Sequence, residues 1–361
     1  MTEADYMDRA LFLAARGRGR TSPNPMVGAV VVSTEGVIVG QGFHERAGQA
    51  HAEVHALAMA GAGARGATLY CTLEPCCHQG RTGPCAPRVV DAGIARVVAA
   101  TIDPDPRVDG RGLGFLRARG LEVEVGLRQA EAVRLNEAFF MLMREGRPFV
   151  ILKAAISQDG CLAQTPGQRT RLTSAAANRH AHGIRAEVDA IGVGVGTVLA
   201  DDPLLTARGV YRDGPLIRVI FDRSLRTPPD ASVLSTRDAG PVIIVTEGSA
   251  AAPGDVRRQR LEDRGAEIEV ARDGSFRAAL ERLAARRVGS LLLEGGAALH
   301  AAAWDAGLVD YVRLYVTPHV MGPDGLRLLA GTSFSSVALA ERHVEPLGPD
   351  VLIEGYVHGP R

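Results

Sequence analysis

Two successive series of alternating strand and helix patterns, parted by the turn-prone stretch Glu145-Gly146-Arg147-Pro148, constrain this chain more than any other feature. A strand followed by an amphipathic helix must pack that helix back onto its own sheet, so each series predicts a layered α/β unit with its own core. In the first series, Met7, Ala10, Leu11 and Ala14 recur at helical spacing and predict an opening helix over 4–16 that stops at Gly17 and Gly19. After Ser22-Pro23-Asn24-Pro25, a strand is expected over 26–32 with a hairpin partner over 37–43. Residues 52–60 read as a helix, 67–73 as a strand, 87–92 as a helix, 96–102 as a strand and 129–144 as one helix. The second series places strands at 149–157, 190–195, 217–222, 242–246, 290–293 and 311–316, and helices at 174–187, 274–287 and 297–306. At 361 residues the chain is long enough for two cores, and the boundary is expected between 1–146 and 147–361.

Charge narrows the partners. Forty-one basic residues balance forty-one acidic ones, so no overall field draws the chain to nucleic acid or an anionic membrane. Glu3, Asp5 and Asp8 interrupt the N-terminus, and no stretch approaches ~18 uninterrupted apolar residues, so a cytoplasmic enzyme is expected. Arginine dominates the basic residues so far that Lys153 is the only lysine.

Of five cysteines, Cys71, Cys76, Cys77 and Cys85 crowd together while Cys161 stands apart. In a reducing compartment such a cluster points to a metal more than to disulfides. His51-Ala52-Glu53 opens a helix, Pro75-Cys76 follows a strand, and Cys85 lies nine positions beyond Cys76. One imidazole and two thiolates make three protein ligands, which leaves a zinc ion one position for water, as catalytic sites do. The proline before Cys76 predicts that this cysteine starts a helix, where unpaired N–H groups favour a thiolate. Glu53, two residues past the histidine, is placed to take a proton from activated water and return it to a leaving group. His-x-Glu followed by Pro-Cys-x-x-Cys is the general signature of zinc deaminases acting on nucleobases, and here the second thiol comes after eight intervening residues instead of two. A structural zinc closed by Cys71, Cys77 or His78, and a cysteine cluster without metal, remain the alternatives.

The segments Thr21-Ser22-Pro23-Asn24-Pro25-Met26-Val27-Gly28, Gly42-Phe43-His44 and Glu74-Pro75-Cys76-Cys77-His78-Gln79-Gly80-Arg81-Thr82-Gly83-Pro84-Cys85 resemble the deaminase half of the bifunctional riboflavin-biosynthesis deaminase/reductase family. The resemblance continues through Lys153 to Gly160, Gly194 to Thr206 and Glu294-Gly295-Gly296, which resemble its reductase half. It implies a cytidine-deaminase-like α/β/α sandwich followed by a dihydrofolate-reductase-like α/β domain. It also implies hydrolytic removal of the 2-amino group of 2,5-diamino-6-(5-phosphoribosylamino)pyrimidin-4-one with one Zn2+, then NADPH reduction of the ribosyl group to ribityl. By the same resemblance, positions matching Asn24, His44, His78 and Arg81 contact the pyrimidine substrate. Lys153 belongs to the reductase site, and Arg185, Leu205, Arg208 and Glu294 surround the phosphosugar. Thr197, Asp201, Gly295, Gly296 and Ala297 line the cofactor. A homo-oligomer is expected.

An ammonium at Lys153 is compact enough to donate a proton or hold a sugar hydroxyl, unlike a guanidinium. Gly192-Val193-Gly194-Val195-Gly196-Thr197 lacks the G-x-G-x-x-G spacing, which argues against a Rossmann loop. Asp159, in Ser157-Gln158-Asp159-Gly160, has no assigned role. Where the family commonly has Ser-x-Trp, this chain reads Arg169-Thr170-Arg171, so an aromatic beside the nicotinamide is missing. The rival readings are a deaminase of another nucleobase with a non-catalytic second half, and a zinc-stabilised nucleic-acid-binding protein, which the neutral charge disfavours.

Overall fold

The structure, a computed structural model, describes residues 1–79, 83–168, 170–248, 254–329 and 335–359. The chain divides into two compact units, Met1–Glu145 and Gly146–Arg361.

In the first unit the elements run α1 (Glu3–Ala15), β1 (Gly28–Val32), β2 (Ile38–Phe43), α2 (Ala52–Ala60), β3 (Thr68–Cys71), α3 (Cys85–Asp91), β4 (Arg96–Ala99), α4 (Arg111–Ala118), β5 (Glu122–Val125), α5 (Gln129–Leu135) and α6 (Glu137–Glu145). They form a five-stranded sheet of order β2-β1-β3-β4-β5. β1 is antiparallel to both neighbours, whereas β3, β4 and β5 run parallel. Because β1 is buried along its whole length, its alternate side chains feed two cores. Val30 and Val32 join Met7, Ala10 and Leu13 of α1 on one face. Val31 joins Ala52, Ala56, Val89, Leu113 and Leu116 on the other. The unit is an α/β/α sandwich.

Two glycines decide how closely α2 lies against β2. A Cβ at Gly40 would stand 2.1 Å from the carbonyl oxygen of Ala56, and one at Gly42 would stand 2.8 Å from that of Ala52. With hydrogen there instead, the helix rests directly on the strand.

The helix expected over 129–144 is two helices. Asn136 separates them: its Oδ1 accepts from the Met26 N–H at 2.7 Å and its Nδ2 donates to the Met26 carbonyl at 2.9 Å. A side chain tied to another segment in both senses outweighs the helical periodicity around it. The expectation of a helix starting at Cys76 is also corrected. Residues 72–79 are non-helical, and the helix begins at Cys85 with Pro84 as its N-cap residue. The cause is local: the Cys76 carbonyl accepts from both Cys85 N–H and Ala86 N–H at 3.0 Å, so Cys76 caps the helix from outside.

The second unit continues with β6 (Phe149–Ile156), β7 (Cys161–Ala163), α7 (Ala175–Glu187), β8 (Ala190–Gly194), α8 (Val195–Asp201), β9 (Ile217–Phe221), α9 (Ser232–Ser235), β10 (Val242–Glu247), α10 (Val256–Asp263), β11 (Ala266–Ala271), α11 (Phe276–Ala285), β12 (Ser290–Glu294), α12 (Ala297–Asp305), β13 (Tyr311–Val316), β14 (Leu326–Arg327), β15 (Ala340–Leu347) and β16 (Asp350–Tyr356). Nine strands form one sheet in the order β11-β10-β9-β8-β12-β6-β13-β16-β15. The seven from β11 to β13 run parallel, and β16 and β15 close the sheet antiparallel. Leu280, Leu283, Leu299 and Ala303 of α11 and α12 pack with Val150, Leu152, Leu291 and Leu293. Ile184 of α7, Val198 of α8 and Leu261 of α10 pack with Ile191, Ile220, Ile244 and Leu292. β8, β10 and β12 in the middle of the sheet therefore carry near-continuous apolar runs, as strands covered on both faces do.

A zinc centre and a charged cluster at the strand ends

His51 is the N-cap residue of α2, in extended backbone, and Glu53 sits in the first turn behind it. The close seat on Gly40 and Gly42 brings this helix start to the loop that carries Cys76 and to the start of α3, where Cys85 is buried. The His51 Nδ1 lies 3.5 Å from Cys76 Sγ and 3.3 Å from Cys85 Sγ, and the three donor atoms all stand within 4.8 Å of one another. Tetrahedral zinc, with Zn–S near 2.3 Å and Zn–N near 2.0 Å, separates its nitrogen and sulfur donors by about 3.5 Å, so the donors present fit that ion. Cys71 Sγ instead donates to the Val98 carbonyl at 3.8 Å, and Cys71, Cys77 and His78 stand outside the donor cluster. Among the described residues, the four-ligand alternative has no fourth ligand.

Electrostatics agree with a site built for a cation. Cys76 ionises before Cys85, because Cys85 and His51 both hydrogen-bond its sulfur, and Cys85 is held protonated beside it while no cation is bound. Glu53 is 3% exposed, and burial together with the neighbouring Cys76 charge pushes its carboxyl up to about 7. Its Oε2 is buried without a hydrogen-bond partner among the described residues. Such an orphan is costly unless a ligand completes it.

Asn24 and His44 are drawn to the same place. Asn24 Nδ2 donates to His44 Nε2 at 3.2 Å, His44 Nδ1 donates to the Ala50 carbonyl at 3.0 Å, and the His44 ring meets that of His51 edge-on at 5.4 Å. Burial lowers the pKa of His44. His78 is half-buried, with no partner for Nδ1 among the described residues, and Arg81 lies outside the described residues. Glu74 was given no role by its pattern in sequence. Its Oε1 accepts from Gly112 and Leu113 N–H at 2.8 and 3.2 Å, and its Oε2 from Gly110 and Asp103 N–H at 2.9 and 3.2 Å, which fixes the start of α4 beside the cysteine loop.

In the second unit a charged cluster forms where β6 and β12 pair, with Lys153 and Glu294 in register. Lys153 Nζ lies 3.5 Å from Glu294 Oε2, and its charge rests over the Tyr315 ring at 5.4 Å. Arg185 of α7 grips both Glu294 oxygens at 2.7 Å and donates to the Thr206 carbonyl at 2.9 Å. Burial opposes ionisation of Glu294, yet Lys153 and Arg185 prevail and hold it at about 2. Leu205, buried, has a φ of 52°, a left-handed conformation costing about 1–3 kcal/mol for a residue with a Cβ. Arg208 is exposed while its N–H donates to His182 Nδ1 at 3.1 Å.

Thr197 of α8 faces the turn after β12: a Cβ at Gly295 or Gly296 would approach its Oγ1 to 3.2 or 3.3 Å. Both glycines have positive φ, 103° and 84°, and Ala297 begins α12. The structure thus joins Thr197 with Gly295 and Gly296 at the ends of parallel strands, where α/β sheets open their binding crevices. Asp201 closes α8, and its neighbour Asp202 is tied to Ser232 at 2.7 and 2.6 Å. Asp159 is a loop organiser: it accepts from Ser157 Oγ, Met321 N–H and Gly322 N–H at 2.5, 3.1 and 2.7 Å.

Residues 1–101 match the cytidine and deoxycytidylate deaminase zinc-binding region, and residues 148–353 match the RibD C-terminal domain. The chain is 41% identical over 354 residues to the riboflavin biosynthesis protein RibD of Aquifex aeolicus, covering 97% of each. It belongs to the RibD family. The RibD of Escherichia coli is 38% identical, with 98% of this chain and 99% of that one covered. Among solved structures, Acinetobacter baumannii RibD superposes with a TM-score of 0.86 at 35% identity, covering 97% of both chains. A diaminohydroxyphosphoribosylaminopyrimidine deaminase/5-amino-6-(5-phosphoribosylamino)uracil reductase from Thermotoga maritima superposes with a TM-score of 0.83 at 34% identity, again covering 97% of both. The expected architecture stands: a cytidine-deaminase-like domain precedes a RibD reductase domain. As a RibD, the chain is a bifunctional enzyme of riboflavin biosynthesis, with a zinc-dependent deaminase and an NADPH-dependent reductase, so a silent second half is set aside. No helix among the described residues is long and apolar enough to cross a membrane.

Proposed function

We infer that the first unit hydrolyses the 2-amino group from 2,5-diamino-6-(5-phosphoribosylamino)pyrimidin-4-one, and that the second reduces the ribosyl group of the product to ribityl. The observation that carries the first step is the His51, Cys76 and Cys85 donor set beside the buried, unpartnered Oε2 of Glu53. Zinc, when bound by those three side chains, supplies a Lewis acid that makes water nucleophilic at neutral pH. Glu53, poised at about 7, takes the proton of the attacking water on Oε2 and delivers it to the departing amine, so that water and amidine become carbonyl and ammonia. Asn24 and His44, locked to each other, present a rigid polar edge to the pyrimidine, with His78 and Arg81 completing the substrate contacts.

For the reduction, NADPH supplies a hydride and the site must supply one proton. Lys153 Nζ is the group to hold the sugar oxygen or donate that proton, and its contact with Glu294 aims it. Because the Arg185 guanidinium already grips Glu294, exposed Arg208 is the arginine that meets the phosphate, while Arg185 and buried Leu205 shape the wall beside the sugar. Thr197, Asp201, Gly295, Gly296 and Ala297 form the cofactor side. The free thiols support a reducing, cytoplasmic setting, and a homo-oligomer is the assembly state that sedimentation would test. Incubation with the diaminopyrimidine phosphate, with and without NADPH, should release ammonia in both cases and give the ribityl mass only with NADPH. Ammonia release without any NADPH-dependent product would refute the second assignment.

A further inference from the structure

We propose that His300 is a positioning residue for NADPH binding, acting through the Gly295-Gly296 turn that it holds from inside the core. The proposal rests on the reading of that turn as part of the cofactor site.

His300 lies on α12, 0% exposed, among Leu299, Ala303 and the β12 leucines of the core. A histidine is an expensive choice for a purely apolar position, since its polar atoms need partners. One ring nitrogen stands near two candidates, of which a neutral ring satisfies one: Nε2 lies 3.2 Å from the Gly295 nitrogen and 3.4 Å from the Leu293 carbonyl. The shorter contact is to an N–H that can only donate, which sets the tautomer, with Nε2 accepting and Nδ1 carrying the proton. Nδ1 is buried without a partner. An imidazolium could not accept from Gly295, and burial, which pushes His300 down to about 4, keeps the ring neutral.

The bond falls where the backbone has most freedom. Gly295 and Gly296 both adopt positive φ, and nothing in their own covalent structure favours one such geometry over its alternatives. Thr197 bounds the turn on one side, and His300 fixes the Gly295 peptide on the other. Fixing that peptide fixes the start of α12, where Gly296 is the N-cap residue and the first N–H groups have no intrahelical partner, directly after Glu294, which pairs in register with Lys153. A turn held in its binding conformation spares the cofactor the ordering cost on arrival.

The test compares two replacements of similar bulk in the full-length enzyme. Leucine fills the space without an acceptor. Glutamine places its Oε1 near the position of Nε2 and can accept from Gly295. His300→Leu should raise KM for NADPH about tenfold with kcat within about threefold, consistent with one lost buried acceptor, and leave ammonia release unchanged. His300→Gln should bring KM for NADPH back to within about threefold of the parent. Equal KM in parent and His300→Leu would overturn the proposal. So would equal impairment of both variants with matching losses of melting temperature, since that is the behaviour of a packing residue. A parent enzyme that neither binds NADPH by fluorescence titration nor oxidises it would overturn the underlying cofactor assignment as well, and so the two failures are distinguishable.

Discussion

Replacing Arg147 removes the clamp at the first residues of the reductase unit. Its guanidinium is 2% exposed and meets both oxygens of Asp310 at 2.7 Å, while Nη1 also donates to the Pro148 carbonyl at 3.1 Å. Asp310 Oδ2 accepts from Val150 N–H at 2.8 Å, so the pair ties the domain junction to β6 and to the strand that follows α12. Arg147→Ala leaves the Asp310 carboxylate buried with the Val150 N–H as its remaining donor. Breaking a buried ion pair from one side costs about 3–5 kcal/mol. For a unit of roughly 150–250 residues each kcal/mol lowers Tm by about 2–4 °C, which gives a fall of about 6–20 °C in the transition of Gly146–Arg361. Calorimetry of the full chain would resolve this, with the reductase transition assigned as the one NADPH raises. The double variant Arg147→Met with Asp310→Leu should recover part of the loss, because apolar residues of similar volume can replace a buried pair at little cost, but the Val150 N–H then loses its acceptor at about 1–3 kcal/mol. A fall of less than about 3 °C, or a fall confined to the transition that zinc raises, would refute the reasoning.

Three further outcomes follow from the sites. Glu53→Gln should keep stoichiometric zinc by elemental analysis yet lose deamination about 10²–10⁴-fold, while NADPH oxidation on the already deaminated substrate is unchanged. Lys153→Arg should lower the reductase kcat about a hundredfold and spare ammonia release, because a broad guanidinium cannot take the place of the ammonium between Glu294 and Tyr315. Gly40→Ala should cost about 1–3 kcal/mol and weaken zinc retention, measured by competition with a chelator, because the added methyl drives α2 and His51 off β2.

Much of this was legible in the residues. The apolar runs at 190–194 and 242–247 are buried on both faces, and the run at 149–156, interrupted by Lys153, alternates buried with half-buried residues; such strands announce themselves. The cluster of His51, Cys76 and Cys85 was legible because one imidazole and two thiols at that spacing have few other uses. What failed was local and had long-range causes. Asn136 breaks a helix because of Met26, more than a hundred residues away in sequence. Cys76 does not start a helix because its own carbonyl caps one nine residues later. β5 is only four residues long and largely exposed, too short for its Glu-Val-Glu-Val alternation to stand out, and β15 is exposed along most of its length and carries Glu341, Arg342 and Glu345, which give no apolar alternation to read. The α8 helix hides in a glycine-rich stretch that scans as turn. His300 left no signal either, since a single histidine on an apolar helix face looks like filler until its ring is seen against Gly295.

The capping of α3 by Cys76 has an evolutionary corollary. Both thiol ligands are anchored at the neck of the segment that separates them, through the Cys76 carbonyl and the Cys85 and Ala86 amides. Cys77 and His78, described residues of that segment, stand outside the donor cluster, so replacing them is expected to change the surroundings offered to a ring while the donor geometry is kept.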